Sequence, residues 1–146
     1  SGTEPKIKFY VEQVFDPQPA WEGAGFSAAR AEMNGATKEV TLAVVDQVLR
    51  GVGVELPHAA LVVSPLVSLD NRLDFANRFL AELDTKLRQG TATAGDAAAL
   101  TAWVDESLQA YGPDPRYLVT AGVHAHFDTQ ALSAEQDALL KAVFSI

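Results

Sequence analysis

The sequence contains 146 residues, of which 48% are hydrophobic and 21% charged, a balance typical of one globular domain rather than a disordered chain. Acidic residues number 19 and basic residues 11, which gives a formal net charge of -8. Such a surface repels nucleic-acid phosphates and anionic membranes. Cysteine is absent, which excludes disulfides, thiolate catalysis and cysteine-bound zinc.

The sequence contains no membrane-spanning segment, because no apolar run approaches the roughly 20 residues that a spanning helix needs. Ser1-Gly2 resembles the remnant of a removed tag, and no signal peptide is visible. We therefore expect a soluble protein that is either cytoplasmic or secreted after processing.

The first regular pattern along the chain is an alternation of apolar and polar residues over 5–15. Ile7, Phe9 and Val11 share one face, and this two-residue period predicts a strand. The prolines at 17 and 19 end it. The sequence thus predicts an extended N-terminal segment over 1–18 followed by a helical domain over 19–146.

Two helices are predicted next, over 20–33 and 38–50. Asn34-Gly35 is expected to end the first, since both residues tolerate a left-handed conformation, and Thr37 is expected to cap the second. The valines of 38–50 leave a strand as the alternative for this stretch. Over 52–67 the pattern favours a short helix, with a strand over 59–67 as the alternative.

The strongest periodicity in the sequence predicts a helix over 69–88. Ser68 can cap its start and Gly90 its end. Acid-to-base pairs four residues apart add stability at Asp74–Arg78, Glu82–Lys86 and Asp84–Arg88. The apolar stripe steps by three or four residues and consists of Leu69, Leu73, Ala76, Leu80, Leu83 and Leu87.

Three further helices are predicted, over 94–111, over 115–127 and from residue 134 onwards. Pro115 suits a first helical position, and the capping box that begins at Ser133 and ends at Gln136 starts the last helix. Residues 117–127 also alternate in a strand-like way. The predicted fold class is therefore mostly α, a single-domain bundle of five to six helices with an N-terminal extended strand. The alternative is α+β with a small sheet.

The most notable polar cluster is His124, His126 and Asp128. In a strand these three side chains share one face and could bind a divalent metal such as zinc or iron, whereas a helix separates the two histidines. Ordinary structural roles are the simpler interpretation. Trp21, beside a glycine-rich stretch, and Trp103 could line a small-ligand pocket, although core packing explains such residues equally well.

Because standard phosphate-binding and hydrolase motifs are absent from the sequence, the first functional hypothesis is a non-enzymatic interaction or structural module. A protein partner would add a strand along the segment between Lys6 and Phe15. The second hypothesis is a small metal-binding protein or metal-dependent enzyme that uses His124, His126 and Asp128. The third is a small-ligand binder with an aromatic-lined pocket. No cofactor other than a metal is expected, and neither nucleic acid nor membrane is an expected partner.

Overall fold

The computed structural model describes residues 10–16, 25–90 and 94–144. This part of the chain is mostly helical, with six helices and no strand, so the mainly α class is confirmed. The α+β alternative is wrong for the described residues, because 117–127 is helical. Contacts divide the chain into two compact units, Ser1–Val52 and Gly53–Ile146. The boundary that we predicted after residue 18 lies outside the described residues.

The first unit contains one long helix, α1, which spans Gly25–Gly51. The predicted interruption at Asn34-Gly35 is wrong, because the helix continues through both residues. Asn and Gly lower helix propensity by roughly 0.7–1 kcal/mol each but, unlike proline, do not clash with the helical backbone. Thr37 is an interior residue rather than an N-cap, since its hydroxyl donates to the Met33 carbonyl at 2.9 Å, a bond that a helical threonine makes one turn back.

Residues 10–16 also belong to the first unit and form neither helix nor strand. Their side chains alternate between exposed and half-buried positions, as they do in an extended chain. Gln13 is on the half-buried side, and its side-chain oxygen lies 3.1 Å from the Thr37 hydroxyl of α1. The predicted strand between Lys6 and Phe15 begins outside the described residues and stays a prediction.

The second unit begins with a short helix and a longer, continuous one. The short helix α2 spans His58–Leu61. The longer one consists of α3, Leu69–Asp74, a π-helical turn, Phe75–Phe79, and α4, Leu80–Gln89. The Ser68 cap is confirmed, because its hydroxyl accepts from the Asn71 amide at 3.3 Å. The π turn was not predicted. It inserts one extra residue into a turn and places Phe75 and Phe79 in the core, fully buried.

Three helices complete the second unit, and their predictions are confirmed. They are α5, Ala94–Ser107, with a 3-10 turn at Gln109–Tyr111, then α6, Pro115–Phe127, and α7, Ala134–Phe144. The capping box of α7 is complete, since the Ser133 amide donates to Gln136 Oε1 at 2.9 Å and the Gln136 amide donates to the Ser133 hydroxyl at 3.2 Å. No helix in the described ranges is long and apolar enough to cross a membrane.

The core of the second unit forms where α2 packs on α6 and where α7 packs on α4 and α5. Gly122 lies at the crossing of α2 and α6. A Cβ atom there would overlap the Ala59 carbonyl oxygen and lie 2.6 Å from Val63 Cγ1 and 2.9 Å from Phe75 Cε1. Only glycine permits this close approach of the two backbones.

Arg72 holds the turn that follows α2. Its guanidinium donates to carbonyl oxygens at 2.9–3.3 Å, which belong to Ala60, Leu61, Val63, Ser64 and Val67. These carbonyls include orphan acceptors at the helix end, which need partners when they are removed from water. Burial lowers the pKa of Arg72. The carbonyl dipoles stabilise its charge without a carboxylate, so Arg72 is a structural residue.

Candidate functional site

Helix α6 separates the two histidines of the predicted metal cluster. His126 Nε2 lies 2.9 Å from the Gln130 side-chain nitrogen, and its ring meets Phe127 edge-on with centroids 4.8 Å apart. Burial lowers the pKa of His126, and the negative charge of Asp84 opposes that shift. His126 is therefore a packed side chain whose uncharged form is favoured.

His124 and Asp128 lie on the other side of α6, as helical spacing requires. They line a cavity of about 160 Å³ together with Asp137 and Lys141, and His126 is not among its lining residues. Lys141 Nζ lies 2.7 Å from the Asp137 carboxylate. Within the described ranges no group of three or more His, Asp or Glu side chains could hold a metal ion. The metal hypothesis stays a prediction that this geometry does not favour.

Trp103 of α5 lines a groove between the end of α4, the start of α5 and α7. The groove has a volume of about 200 Å³. One ring contact of Trp103 is made with Phe79, with the planes inclined by 6° and the centroids 5.4 Å apart. Trp103 also makes a cation–π contact with Lys86, whose ammonium lies 5.0 Å from the ring centroid. The remaining lining residues are Gln89, Gly90, Asp96, Ala99, Leu100 and Leu139.

The structure describes only one residue of the predicted aromatic pair. Trp21 lies outside the described residues, whereas Trp103 borders a groove, as a ligand-binding tryptophan would. Lys86 was expected to pair with Glu82. Instead Glu82 accepts from Arg78 at 3.3 Å, and Lys86 extends over Trp103.

A charged network joins α3 to the 3-10 turn after α5. Arg78 donates to both oxygens of Asp74, at 2.7 and 2.6 Å, and Tyr111 donates its phenolic proton to Asp74 at 2.6 Å. The hydrogen bonds from Arg78 hold the pKa of Asp74 below its usual value. Burial, reinforced by the bond to Asp74, raises the pKa of Tyr111. Both shifts move the pKa further from 7, which suits a structural bond and not proton transfer at neutral pH.

The surface of the first unit exposes apolar side chains on residues 10–16. Tyr10 is 87% exposed and Val14 89% exposed. In the described part of the chain, no backbone hydrogen bond joins residues 10–15 to another residue. An extended chain whose peptide groups lack backbone partners can pair with another strand. Residues 10–15 are therefore the described part of the segment between Lys6 and Phe15 that is predicted to bind a partner.

Comparisons with known proteins found no relative of this chain. No protein-family description, no curated protein and no solved structure matches the chain. The function is therefore inferred from the residues and their geometry.

Sequence reasoning missed the polar half of the Trp103 groove and the bond from Tyr111 to Asp74. Lys86 belongs to α4 and Trp103 to α5, and no local period relates two residues on different helices. A tryptophan on a predicted helix is the signal that the sequence carries for the groove. No comparable signal existed for Tyr111, because its partner Asp74 lies 37 residues away in the sequence.

Proposed function

We propose that the protein is a non-enzymatic interaction module that binds an extended segment of a partner protein along its N-terminal segment. The single observation that carries this proposal is the geometry of residues 10–16. The side chains alternate between exposed and half-buried positions, and Gln13 on the half-buried side contacts Thr37 of α1. No backbone hydrogen bond joins residues 10–15 to another described residue.

Strand addition uses these features directly. A partner strand would form main-chain hydrogen bonds with the peptide groups, and the alternating side chains would contribute specificity. Tyr10 and Val14 supply exposed apolar surface beside the pairing edge, and Glu12 lies between them on the same side. Edge strands that are not meant to pair are often blocked by proline, by charged side chains, especially lysine, or by a bulge. Glu12 and Asp16 are the charged residues of this segment. Residues 10–16 contain no proline and no lysine.

The experiment that tests this function separates backbone pairing from side-chain contact. Glu12→Pro removes one amide donor, and an extended chain accommodates proline on an exposed position. Glu12→Ala keeps the donor and removes the same side chain. A photo-reactive phenylalanine analogue at Val14, introduced in the native host, records the contacts of this surface.

We expect Val14 to form a discrete cross-linked adduct that Glu12→Pro abolishes and Glu12→Ala retains. The matched control is the same analogue at Tyr117, which is 76% exposed and belongs to the second unit. Its adducts should be unaffected by either change at Glu12. Absence of an adduct at Val14, or equal loss with proline and alanine, would refute strand addition.

A further inference from the structure

The groove beside Trp103 contains one cationic group among its described lining residues, the Lys86 ammonium. The described residues provide no ion pair for Lys86, whose ammonium instead lies 5.0 Å from the Trp103 ring centroid. A cation over an aromatic face keeps its charge and its three donors available. Lys86 is exposed, so the ammonium can turn towards a ligand without disturbing the core.

The floor of the groove is apolar and is held firmly in place. Trp103 is stacked on Phe79, which is fully buried. Leu100 and Leu139 lie beside it and are also buried, with 6% and 3% of their surface exposed. A ring that enters the groove would therefore meet a preformed apolar surface, which is the usual character of a small-ligand site.

Gly90 borders the groove at the end of α4. Its φ of -82° and ψ of 155° are open to any residue, so the backbone does not require glycine. A Cβ atom would lie 3.0 Å from Leu139 Cδ2. The missing side chain thus lets α7 approach the end of α4 and leaves the rim of the groove free.

We infer that this groove binds a small aromatic carboxylate, with the ligand ring against Trp103 and its carboxylate on Lys86. The volume of about 200 Å³ admits a single-ring ligand and is below that of sites for drug-sized molecules. The carboxylate requirement follows from the unpaired ammonium, because hydrogen bonds to a charged group are the stronger ones. Asp96 also borders the groove, so its charge favours a ligand with one carboxylate over a polyanion.

The test uses phenylacetate and its neutral analogue phenylacetamide as probes of the full-length protein. Nuclear magnetic resonance follows the indole N–H of Trp103 and the backbone amide of Gly90 during each titration, and Trp21→Phe identifies the Trp103 signal. We expect saturable shifts with phenylacetate at both positions. Phenylacetamide should bind about tenfold more weakly, as expected when a hydrogen bond to a charged group is lost.

Lys86→Gln should weaken phenylacetate binding by a similar factor and leave phenylacetamide binding unchanged. Lys141→Gln is the matched control, since Lys141 borders the other cavity, and it should alter neither titration. The inference is overturned if phenylacetate produces no saturable shift, if both probes bind equally, or if Lys86→Gln has no larger effect than Lys141→Gln.

Discussion

Gly122→Ala tests the packing of α2 on α6 by the sign of its effect on stability. Alanine is favoured over glycine inside a helix by about 1 kcal/mol. At position 122, however, the new Cβ would overlap the Ala59 carbonyl oxygen and lie 2.6 Å from Val63 Cγ1. Backbone atoms cannot rotate away, so the helices must separate.

The magnitude follows from these two opposing effects. Overpacking a close core contact destabilises a protein by typically 1–3 kcal/mol, and contact with backbone places Gly122→Ala at the upper end of that range. After the gain in helix propensity is subtracted, we expect the free energy of unfolding to fall by about 2 kcal/mol. The bond from the Ser64 amide to the Leu118 carbonyl, 2.8 Å long, should weaken with it.

The assay is urea denaturation followed by far-ultraviolet circular dichroism. Ala121→Gly, on the exposed neighbouring position of α6, is the control and should lower stability by about 1 kcal/mol through helix propensity alone. If Gly122→Ala were as stable as the parent protein or more stable, helix propensity would dominate and the close crossing of α2 and α6 would be refuted.

Three further predictions concern other structural residues. Arg72→Lys should lower the free energy of unfolding by about 3 kcal/mol in the same denaturation assay, since lysine cannot reach the set of carbonyls that the guanidinium joins. An unchanged denaturation midpoint would contradict the structural role of Arg72. Tyr111→Phe should destabilise the protein by about 1.5 kcal/mol at neutral pH. The folded state raises the pKa of Tyr111. Its contribution to the free energy of unfolding is therefore complete below the usual tyrosine pKa and declines as the pH rises above that pKa. Thermal denaturation across alkaline pH should show a steeper loss of stability for the parent protein than for Tyr111→Phe, and parallel curves would contradict the bond to Asp74. Gly35→Ala, in the open interior of α1 where a Cβ meets nothing within 4 Å, should raise stability by about 1 kcal/mol, and a loss of stability would show that the helix is interrupted there.

The helices of the second unit could be predicted because their signals are local. The capping box at Ser133 and Gln136, the cap at Ser68 and the proline at the start of α6 each act within one turn of the helix. The continuity of α1 through Asn34-Gly35 could not be predicted in the same way, because both residues are compatible with an interior position as well as with an end.

For the candidate sites too, the sequence predicts only what depends on neighbouring residues. His124 and His126 were predicted to diverge on a helix, and α6 confirms that local inference. The environment of Trp103 depends on Lys86, Gln89 and Leu139, which come from other helices. Residues that are distant in sequence meet only through tertiary packing, and one sequence contains no period that relates them.

In the proposed function, residues 10–15 pair with a strand of the partner protein. Amide hydrogen exchange of these residues tests this pairing most directly, measured in the free protein and in the complex isolated through the Val14 cross-link. We expect fast exchange of all these amides in the free protein and slow exchange of alternate amides in the complex, as a single added strand would produce. Slow exchange already present in the free protein, or no difference between the two, would contradict this pairing.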